Sequence, residues 1–395
     1  MTLGNSSART APNIAIVGGG PGGLTLARQL QTRGVAATVF EREASALARP
    51  QGGTLDLHRD GGLLALEEAG LIDAFNAVAR PEEQDTRLCG ASGAVLFEHL
   101  EPDSEGGRPE IDRTALRALL LESLEPGVVR WDRPLRAVEP SSDDGHDLVF
   151  EDGTRERFDL VVGADGAWSR VRPLLSSARP EHTGVTFVEF GFDDVDTRHP
   201  RIKALVGQGK IFALEADKGL IAQLNGGGHI RAYAALRVAE DWVETCGIDF
   251  AHPAAARAGL LALFDGWSPD LLALLTDCED SFIPRPLNTL PIGHRWDHRP
   301  GLTLIGDAAH LMSPFSGEGV NLAMRDARDL ALALTESKDW AAAVRDFETV
   351  MFARAAEAAH GATVALHASI SAEAPASAVA MFSAVMGDHA TEHSA

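Results

Sequence analysis

An α/β fold with a parallel sheet, interrupted by a layer of antiparallel strands, is the fold class that this 395-residue sequence predicts. Three observations predict it. Short apolar segments lead into glycine-rich turns near the beginning, the middle and the end of the chain. Residues 183–291 instead alternate between apolar and polar side chains, which is typical of antiparallel strands with one buried face. The α/β pattern returns after Pro300 and ends in alanine-rich helices.

The first glycine-rich turn follows a strand predicted over 13–17 and precedes a helix predicted over 24–32. Its three spaced glycines are Gly18, Gly20 and Gly23. The first permits a tight turn, the second lets the backbone approach a pyrophosphate, and the third lets the helix and the strand pack closely. The helix N-terminus adds N–H groups that face the negative charge. This pattern predicts a Rossmann-like dinucleotide-binding domain.

Acidic residues follow the later strands of this domain, at positions suited to sugar recognition. The second predicted strand ends at Glu41, where a carboxylate can accept hydrogen bonds from an adenosine ribose. A strand over 160–162 leads into a Gly-Ala-Asp-Gly turn that contains Asp165. The strand over 302–305 leads into Gly-Asp, whose Asp307 can bind two hydroxyls of a ribityl chain. Together the three segments predict FAD as the bound dinucleotide.

A glycine loop after His310 precedes another helix and completes the predicted cofactor site. A helix N-terminus behind this loop supplies about half a positive charge, which would stabilise an anionic reduced flavin at its pyrimidine edge. For His310 itself we favour a local structural role over catalysis. The loop residues predicted to contact FAD are Pro314, Gly317, Gly319, Val320 and Asn321.

Composition argues against several other classes of function. A net charge of −22 without a clustered basic stripe disfavours nucleic acid and anionic membranes as partners. No apolar stretch reaches the length of a membrane span. Residues 1–12 lack an apolar signal core and are predicted to be a disordered lead-in. The three cysteines show no CxxC spacing, which predicts a cytoplasmic protein without disulfides or a metal site.

The order of these segments predicts a discontinuous cofactor domain with an insertion. We expect an FAD-binding domain over 13–182 and 292–372 and an antiparallel-sheet substrate-binding domain over 183–291. Residues 373–395 form either a C-terminal helix that closes the substrate cleft or a frayed tail. The length of the chain suits two joined domains, and we expect a monomer.

The three segments resemble those of the group A FAD-dependent monooxygenases, the para-hydroxybenzoate hydroxylase-like family, over nearly the whole chain. Residues 52–58 (GGTLDLH) and 109–117 (PEIDRTALR) are similar to the tetracycline-inactivating branch of that family. The resemblance implies that Glu41 and Arg42 hold the adenosine end of FAD and that Arg49 assists use of the nicotinamide cofactor. The further FAD contacts that it implies are Asp56, Arg113 and Asp307.

Two departures from this branch leave the substrate open. The branch grips its substrate with a histidine and an arginine of the middle sheet, where this chain has Arg231 and either Lys210 or Ile211. Glu318 stands in the glycine loop where the family often has glutamine. A carboxylate there would oppose the charge of a reduced flavin unless it points to solvent or is paired. The residues predicted to contact the substrate are Lys210, Gln223, Arg231 and Phe315.

The resemblance implies an FAD-dependent monooxygenase. NADPH or NADH reduces FAD, dioxygen adds to give a flavin hydroperoxide, and one oxygen is transferred to a polycyclic aromatic or enolic small molecule, tetracycline-like or another polyketide. The cofactor carries this chemistry, so no catalytic side chain is predicted. Two alternatives stay open: an FAD-dependent reductase or desaturase, and a non-catalytic flavin-binding sensor. A flavin halogenase is disfavoured because no tryptophan pair precedes an Ile-Pro.

Overall fold

The structure, a computed structural model, describes most of the chain. The described ranges are 12–48, 52–80, 85–100, 108–141 and 145–392, with the backbone alone for 386–392. Arg49 and residues 1–11 lie outside the described residues, so the roles predicted for them stay predictions.

The described ranges contain seventeen strands and twelve α-helices. The strands are β1 (Ile14–Val17), β2 (Ala37–Phe40), β3 (Thr54–Asp56), β4 (Asp85–Gly90), β5 (Val95–His99), β6 (Glu110–Asp112), β7 (Val129–Arg130), β8 (Leu135–Pro140), β9 (His146–Phe150), β10 (Arg155–Phe158), β11 (Leu160–Gly163), β12 (Glu181–Phe192), β13 (Gly209–Glu215), β14 (Lys218–Asn225), β15 (His229–Arg237), β16 (Ile283–Thr289) and β17 (Leu302–Leu304). The helices are α1 (Pro21–Thr32), α2 (Leu64–Glu68), α3 (Ile72–Asn76), α4 (Arg113–Glu122), α5 (Pro200–Val206), α6 (Trp242–Thr245), α7 (Pro253–Leu263), α8 (Pro269–Thr276), α9 (Asp307–His310), α10 (Glu318–Glu336), α11 (Trp340–Ser369) and α12 (Ala376–Glu392).

A parallel five-stranded sheet, in the order β17-β11-β1-β2-β7, forms the centre of the cofactor side of the molecule. Every residue of β1 and β11 is buried. Their sequences read as continuous apolar runs because neighbouring elements cover both faces of the sheet. Helix α1 packs against α10, and α10 packs against α11. The α/β fold class predicted from the sequence is confirmed.

The strands of this sheet all run in the same direction, so their carboxyl ends share one edge. β1 leads into Gly18, β2 into Glu41, β11 into the turn with Asp165, and β17 into the segment with Asp307. Residues that are far apart in the sequence therefore meet at a single crevice. In open α/β sheets this crevice outside the carboxyl ends of the strands is where ligands bind.

A second sheet of seven strands has the order β16-β12-β15-β14-β13-β4-β5 and is antiparallel except for the β13–β4 pair. One of its faces packs on α5, α7 and α8, with Ile211 and Ala213 in the same apolar cluster as Leu260 and Leu274. Strands β4 and β5 come from residues 85–99, for which the sequence analysis predicted no strands and which it placed in the FAD-binding domain. They extend the sheet from a segment far upstream of 183–291.

The C-terminal region consists of two helices, the thirty-residue α11 and then α12. Helix α12 lies on the other face of the seven-stranded sheet, with the Phe382 ring 5.3 Å from Phe212 and 6.0 Å from Phe97. A helix is one of the two forms predicted for the C-terminal residues. Within the ranges that the structure describes, no helix combines the length and the apolar character needed to cross a membrane.

Candidate cofactor and substrate site

The turn after β1 requires glycine at two positions because backbone atoms approach closely. Gly18 has φ +111°, and a Cβ there would lie 2.2 Å from the Ala164 carbonyl oxygen. A Cβ on Gly23 would lie 2.1 Å from the Gly18 carbonyl oxygen. Neither position has room for a methyl group. This close packing joins β1, α1 and the turn after β11 into one rigid unit.

The middle glycine of this turn has a different environment. Gly20 is the residue before the first turn of α1, and apart from its chain neighbours no heavy atom of the described residues lies within 4 Å of a Cβ built on it. Pro21 follows at the first helical position, and Gly20 makes no side-chain cap. The open backbone and the helix N-terminus together fit a pyrophosphate group.

Glu41 lies at the end of β2 with its carboxylate fixed beside this turn. Its Oε2 accepts a hydrogen bond from the Gly19 amide at 2.7 Å, and its Oε1 accepts one from the Glu43 amide at 3.0 Å. The side chain of the neighbouring Arg42 is exposed. Glu41 is therefore held at the position expected for the adenosine ribose, while Arg42 faces solvent.

Arg117 stabilises the glycine-rich turn after β1. It is the last residue of the 109–117 motif, and no role was predicted for it from the sequence. The guanidinium is buried and donates hydrogen bonds to the carbonyls of Gly19 at 3.3 Å and Ala46 at 2.8 Å. It also pairs with Glu43 at 3.1 Å. Arg117 thereby ties the glycine turn to the segment after β2. Its place on the buried side of an amphipathic helix was the available signal.

Asp56 and Arg113 lie at opposite ends of the short β3–β6 ribbon. Asp56 faces Glu110 in register, and the Arg113 amide donates to the Gly53 carbonyl at 3.0 Å. The Arg113 side chain, at the start of α4, is exposed. Asp56 also lies against the glycine loop, since a Cβ on Gly317 would be 3.0 Å from its Oδ1.

Asp165 presents a buried acceptor beside the glycine turn. Its Oδ2 accepts a hydrogen bond from the Arg170 amide at 2.7 Å. Its Oδ1 is buried and accepts none from the residues that the structure describes. Burial raises the pKa of the Asp165 carboxyl, although Ser169 and nearby backbone amides oppose the shift. A ligand hydroxyl could satisfy this oxygen.

Asp307 is exposed at the carboxyl end of β17 and faces the start of α10. A Cβ built on Gly319 would lie 3.9 Å from its Oδ1. Helix α10 is nineteen residues long, so its N-terminus presents the partial positive charge of a full helix. Asp307 can therefore accept hydroxyl donors next to a site that favours an anion.

His310 is part of the support behind this site. Its Nε2 contacts Asp326 Oδ2 at 2.6 Å, and Asp326 also accepts bonds from the Gly306 amide at 3.1 Å and Arg354 at 2.8 Å. Burial lowers the pKa of His310, but the Asp326 carboxylate raises it more, so the net shift is upward. This buried network agrees with the structural role favoured for His310.

Asn321 fixes the glycine loop to the segment after β3. Its Oδ1 accepts hydrogen bonds from the amides of His58 at 2.8 Å and Gly62 at 3.1 Å. Its Nδ2 donates to the carbonyls of Asp56 at 2.9 Å and Gly317 at 3.2 Å. Every polar atom of this side chain is used, so the loop has a defined position relative to Asp56.

Glu318 is paired with His58. Pairing is one of the two conditions under which a carboxylate at this position would not oppose the charge of a reduced flavin. His58 lies between two carboxylates, with Nε2 3.3 Å from Asp56 Oδ2 and Nδ1 3.3 Å from Glu318 Oε1. Burial lowers the pKa of His58, but the two carboxylates outweigh it and raise the pKa to about 9. For Asp56, burial raises the pKa, while His58 and Lys210 lower it further than burial raises it. His58 lay in a quoted motif, but sequence reasoning gave it no role.

Three of the four predicted substrate residues lie in one row across the seven-stranded sheet. Lys210 pairs in register with Gln223, and Gln223 with Arg231. They share the sheet face of Phe212, Ile221 and Tyr233, because side chains two apart on a strand point the same way. Gln223 Nε2 donates to Glu110 Oε1 at 2.8 Å. This face is opposite to the one that packs on α5, α7 and α8.

Arg231 is engaged within the protein. Its Nη1 lies 3.1 Å from Glu189 Oε1. The guanidinium also fills the space beside Gly52, where a Cβ would be 2.0 Å from Nη2. Arg231 therefore joins the sheet to the Gly52–Gly53 segment, and it shares the carboxylate of Glu189 with Arg285.

Aromatic side chains line the same face of the sheet. The Phe187 ring lies 5.0 Å from Tyr233 and 5.7 Å from Phe315, the fourth predicted substrate residue. These rings belong to one apolar cluster with Leu366 and Ile370 of the C-terminal region. Phe315 joins this cluster to the glycine loop at the start of α10, so aromatic groups adjoin the candidate flavin position.

These features define a dinucleotide-binding oxidoreductase, and comparison with known proteins agrees. The FAD binding domain family matches residues 12–240 and 294–349. Monooxygenase asqM of Emericella nidulans is 33% identical over 80% of this chain and 82% of its own length. The 3-amino-4-hydroxybenzoate 2-monooxygenase PtmB3 of Streptomyces platensis is 30% identical over 88% and 85%. The crystal structure of tetracycline destructase Tet(55) is 22% identical, covers 95% of each chain and superposes with a TM-score of 0.72.

The chain belongs to the FAD-binding monooxygenase family, as its motifs predict. It is an FAD-dependent monooxygenase, and NAD(P)H is the reductant typical of this family. The open backbone at Gly20, the carboxylates of Glu41 and Asp307, and the N-terminus of α10 fit the phosphates, sugars and flavin of FAD. FAD supplies the redox chemistry when bound, while the protein binds, orients and shields the reacting groups.

Proposed function

We propose that this monooxygenase uses NAD(P)H and dioxygen to hydroxylate a planar aromatic or enolic small molecule, polycyclic and polyketide-like in size. The observation that carries the proposal is the aromatic wall of Phe187, Tyr233 and Phe315 next to the glycine loop. Stacked and edge-on aromatic contacts favour flat, apolar ligands. The names of two similar proteins support different parts of the proposal: the 3-amino-4-hydroxybenzoate 2-monooxygenase supports an aromatic substrate, and the tetracycline destructase supports its polycyclic size.

The row formed by Lys210, Gln223 and Arg231 on the seven-stranded sheet supplies the orienting contacts for such a substrate. Arg231 is held in place by its ion pair with Glu189 and by its contact with Gly52, so we assign Lys210, the other cation of the row, to an anionic phenolate or enolate oxygen. Gln223, the register partner of Lys210, donates from its Nε2 to Glu110 Oε1. Few polar groups in a mostly apolar pocket are typical of small-molecule sites.

For the cofactor we retain the contacts predicted from the sequence. The residues proposed to hold FAD are Gly18, Gly20, Gly23, Glu41, Arg42, Asp56, Arg113, Asp165, Asp307, Pro314, Gly317, Gly319, Val320 and Asn321. Arg49 is proposed to assist the nicotinamide cofactor. The protein works as a cytoplasmic monomer in this proposal.

Mass spectrometry of products tests the proposed substrate class. The FAD-loaded protein would be incubated with NADPH and air against tetracyclines and a panel of polycyclic and monocyclic phenols. A product heavier by one oxygen from a polycyclic phenol or enol supports the proposal. Oxygenation of monocyclic phenols alone would contradict the assigned substrate size. A product lacking two hydrogens, with no added oxygen, would favour a desaturase, and bound FAD without NADPH oxidation under any substrate would favour a sensor.

A further inference from the structure

The start of α10, the helix N-terminus that the sequence predicts to face the flavin, carries an acidic residue. Glu318 is the first residue of the helix, and Asp56 lies against the preceding Gly317. Two carboxylates at this point would cancel the positive potential that a helix N-terminus offers to an anion. FAD is itself anionic, and its reduced flavin carries a further negative charge. This loop therefore needs a compensating cation.

We propose that His58 is a positioning residue that supplies this cation: held between Asp56 and Glu318, it makes the acidic glycine loop compatible with FAD and with the reduced flavin. The inference rests on FAD binding at this site and does not depend on the identity of the substrate.

The geometry fixes the imidazole in the bridging position. Its two ring nitrogens face different carboxylates, each at 3.3 Å. The backbone amide of His58 is bonded to Asn321, which also bonds the Asp56 carbonyl. The histidine side chain is 8% exposed, whereas the side chains of Asp56 and Glu318 are 25% and 33% exposed, so water reaches the two carboxylates more than the imidazole between them. His58 and the loop consequently move as one unit.

The other charges around His58 do not replace it. Lys210, from β13, acts on Asp56 and lowers the pKa of that carboxyl. Arg108 opposes the protonation of His58 by charge repulsion. Neither residue reaches Glu318 among the ion pairs of the described residues. Glu318 depends on His58 for its compensation.

The pH dependence follows from the direction of the His58 shift. A pKa of about 9 keeps the imidazole charged at neutral pH. Because the folded pKa lies above the ordinary value of 6.5, the stabilisation is complete below pH 6.5 and is lost as the pH rises through about 9. FAD affinity should follow the same course. Removing one carboxylate would lower the His58 pKa and move the loss to lower pH.

A double-mutant cycle on FAD binding tests the proposal. The dissociation constant would be measured by flavin fluorescence for the wild type, His58→Gln, Glu318→Gln and the double variant, from pH 6 to 10. We expect His58→Gln to weaken binding at pH 7.5 by about tenfold or more, and by less than about threefold in the Glu318→Gln background. The reduction potential of the bound flavin should become more negative in His58→Gln and recover in the double variant.

His252→Gln is the matched control, since His252 forms an exposed pair with Asp249 away from the site. If His58→Gln weakens FAD binding equally in the wild-type and Glu318→Gln backgrounds, the charge role is overturned and His58 is a packing residue. An unchanged reduction potential of the bound flavin in His58→Gln would lead to the same conclusion. If His58→Gln does not fold, the Glu318→Gln profile decides alone. It must bind FAD at least as tightly as the wild type and lose affinity at lower pH, and failure on either point contradicts the proposal.

Discussion

At the scale of single residues, the three glycines of the first turn divide into two kinds. Gly18 and Gly23 are glycine because a Cβ would collide with backbone oxygens, whereas Gly20 is glycine beside open space. The former two serve the fold, and the latter leaves the backbone accessible to a ligand. The close packing at Gly18 and Gly23 agrees with the tight turn and the helix–strand contact that the motif predicts, and the open backbone at Gly20 is compatible with the predicted pyrophosphate contact.

Alanine at Gly23 should therefore lower stability, whereas alanine at Gly20 should lower FAD affinity. Gly23→Ala should lower the free energy of unfolding of the apoprotein by about 2 kcal/mol or more, because the new methyl group overpacks the turn. Gly20→Ala should leave apoprotein stability nearly unchanged and weaken FAD binding. Denaturant unfolding and flavin fluorescence would measure the two quantities. Equal effects of the two substitutions on stability would refute this division.

Lys210 allows a second prediction at this scale. Lys210→Met keeps the length of the side chain and removes its charge. If Lys210 binds a phenolate or enolate oxygen, KM for the substrate should rise about tenfold to a hundredfold, the loss of one charged hydrogen bond. Lys338→Met, in an exposed loop between α10 and α11, is the control. Steady-state kinetics with an unchanged KM for Lys210→Met would remove this residue from the substrate site.

Which site residues could be predicted depends on whether their signal is local. Glu41 and Asp307 could be proposed as site residues because each directly follows a strand, and the strand positions can be predicted from apolar runs. The pairing of His58 with Glu318 joins segments at opposite ends of the chain, so no local pattern contains it. The same holds for Arg231, whose partner Glu189 lies on a neighbouring strand. Sequence reasoning recognised Glu318 as a problem but could not supply its partner.

At the scale of elements, α12 forms a wall of the apolar cluster next to the candidate substrate site. Its Phe382 contacts Phe97 on the edge strand β5 and Phe212 on β13. The segment that carries Phe97 was not assigned from the sequence, because its strand alternation is short and its partner strands lie far downstream. The helix and the added strands together enlarge the apolar face.

Truncation of Phe382 tests whether α12 shields the site. Phe382→Ala should cost about 1–2 kcal/mol of stability, less than for a fully buried phenylalanine. If α12 excludes water, the fraction of NADPH oxidised without product should also rise. Val385→Ala, an exposed position on the same helix, should change neither quantity. Unchanged coupling in Phe382→Ala would show that α12 does not close the cleft.

At the scale of the whole molecule, FAD would join segments from both ends of the chain. Gly20 and Glu41 lie in the N-terminal part of the sequence, and Asp307 follows the last strand of the seven-stranded sheet along the chain. A ligand that binds only the folded state stabilises it by mass action. The fold class was predictable because each strand and the turn that follows it are adjacent in the sequence. The sheet order was not, since it depends on pairings across the whole chain.

Thermal unfolding with different flavins tests this joining. FAD at a hundredfold excess over its Kd should stabilise the protein by about 2.7 kcal/mol. FMN, which lacks the adenosine end, should stabilise it less because Glu41 gains no partner. Glu41→Gln keeps an acceptor for the Gly19 amide. This substitution should reduce the difference between the rise in melting temperature with FAD and the rise with FMN. If FMN and FAD raise the melting temperature equally, the adenosine end is not bound at Glu41.

The contact between Arg231 and Gly52 has a consequence for laboratory evolution of this enzyme. The guanidinium occupies the volume that any side chain at position 52 would need. A side chain at position 52 would displace this guanidinium, the flexible end of Arg231, from its place beside Glu189, so libraries that vary position 52 alone also change the sheet face that Arg231 occupies. Joint randomisation with position 231 gives access to combinations in which a shorter residue on the sheet makes room on the facing segment. Remodelling the pocket for new compounds has to treat these two positions as one unit.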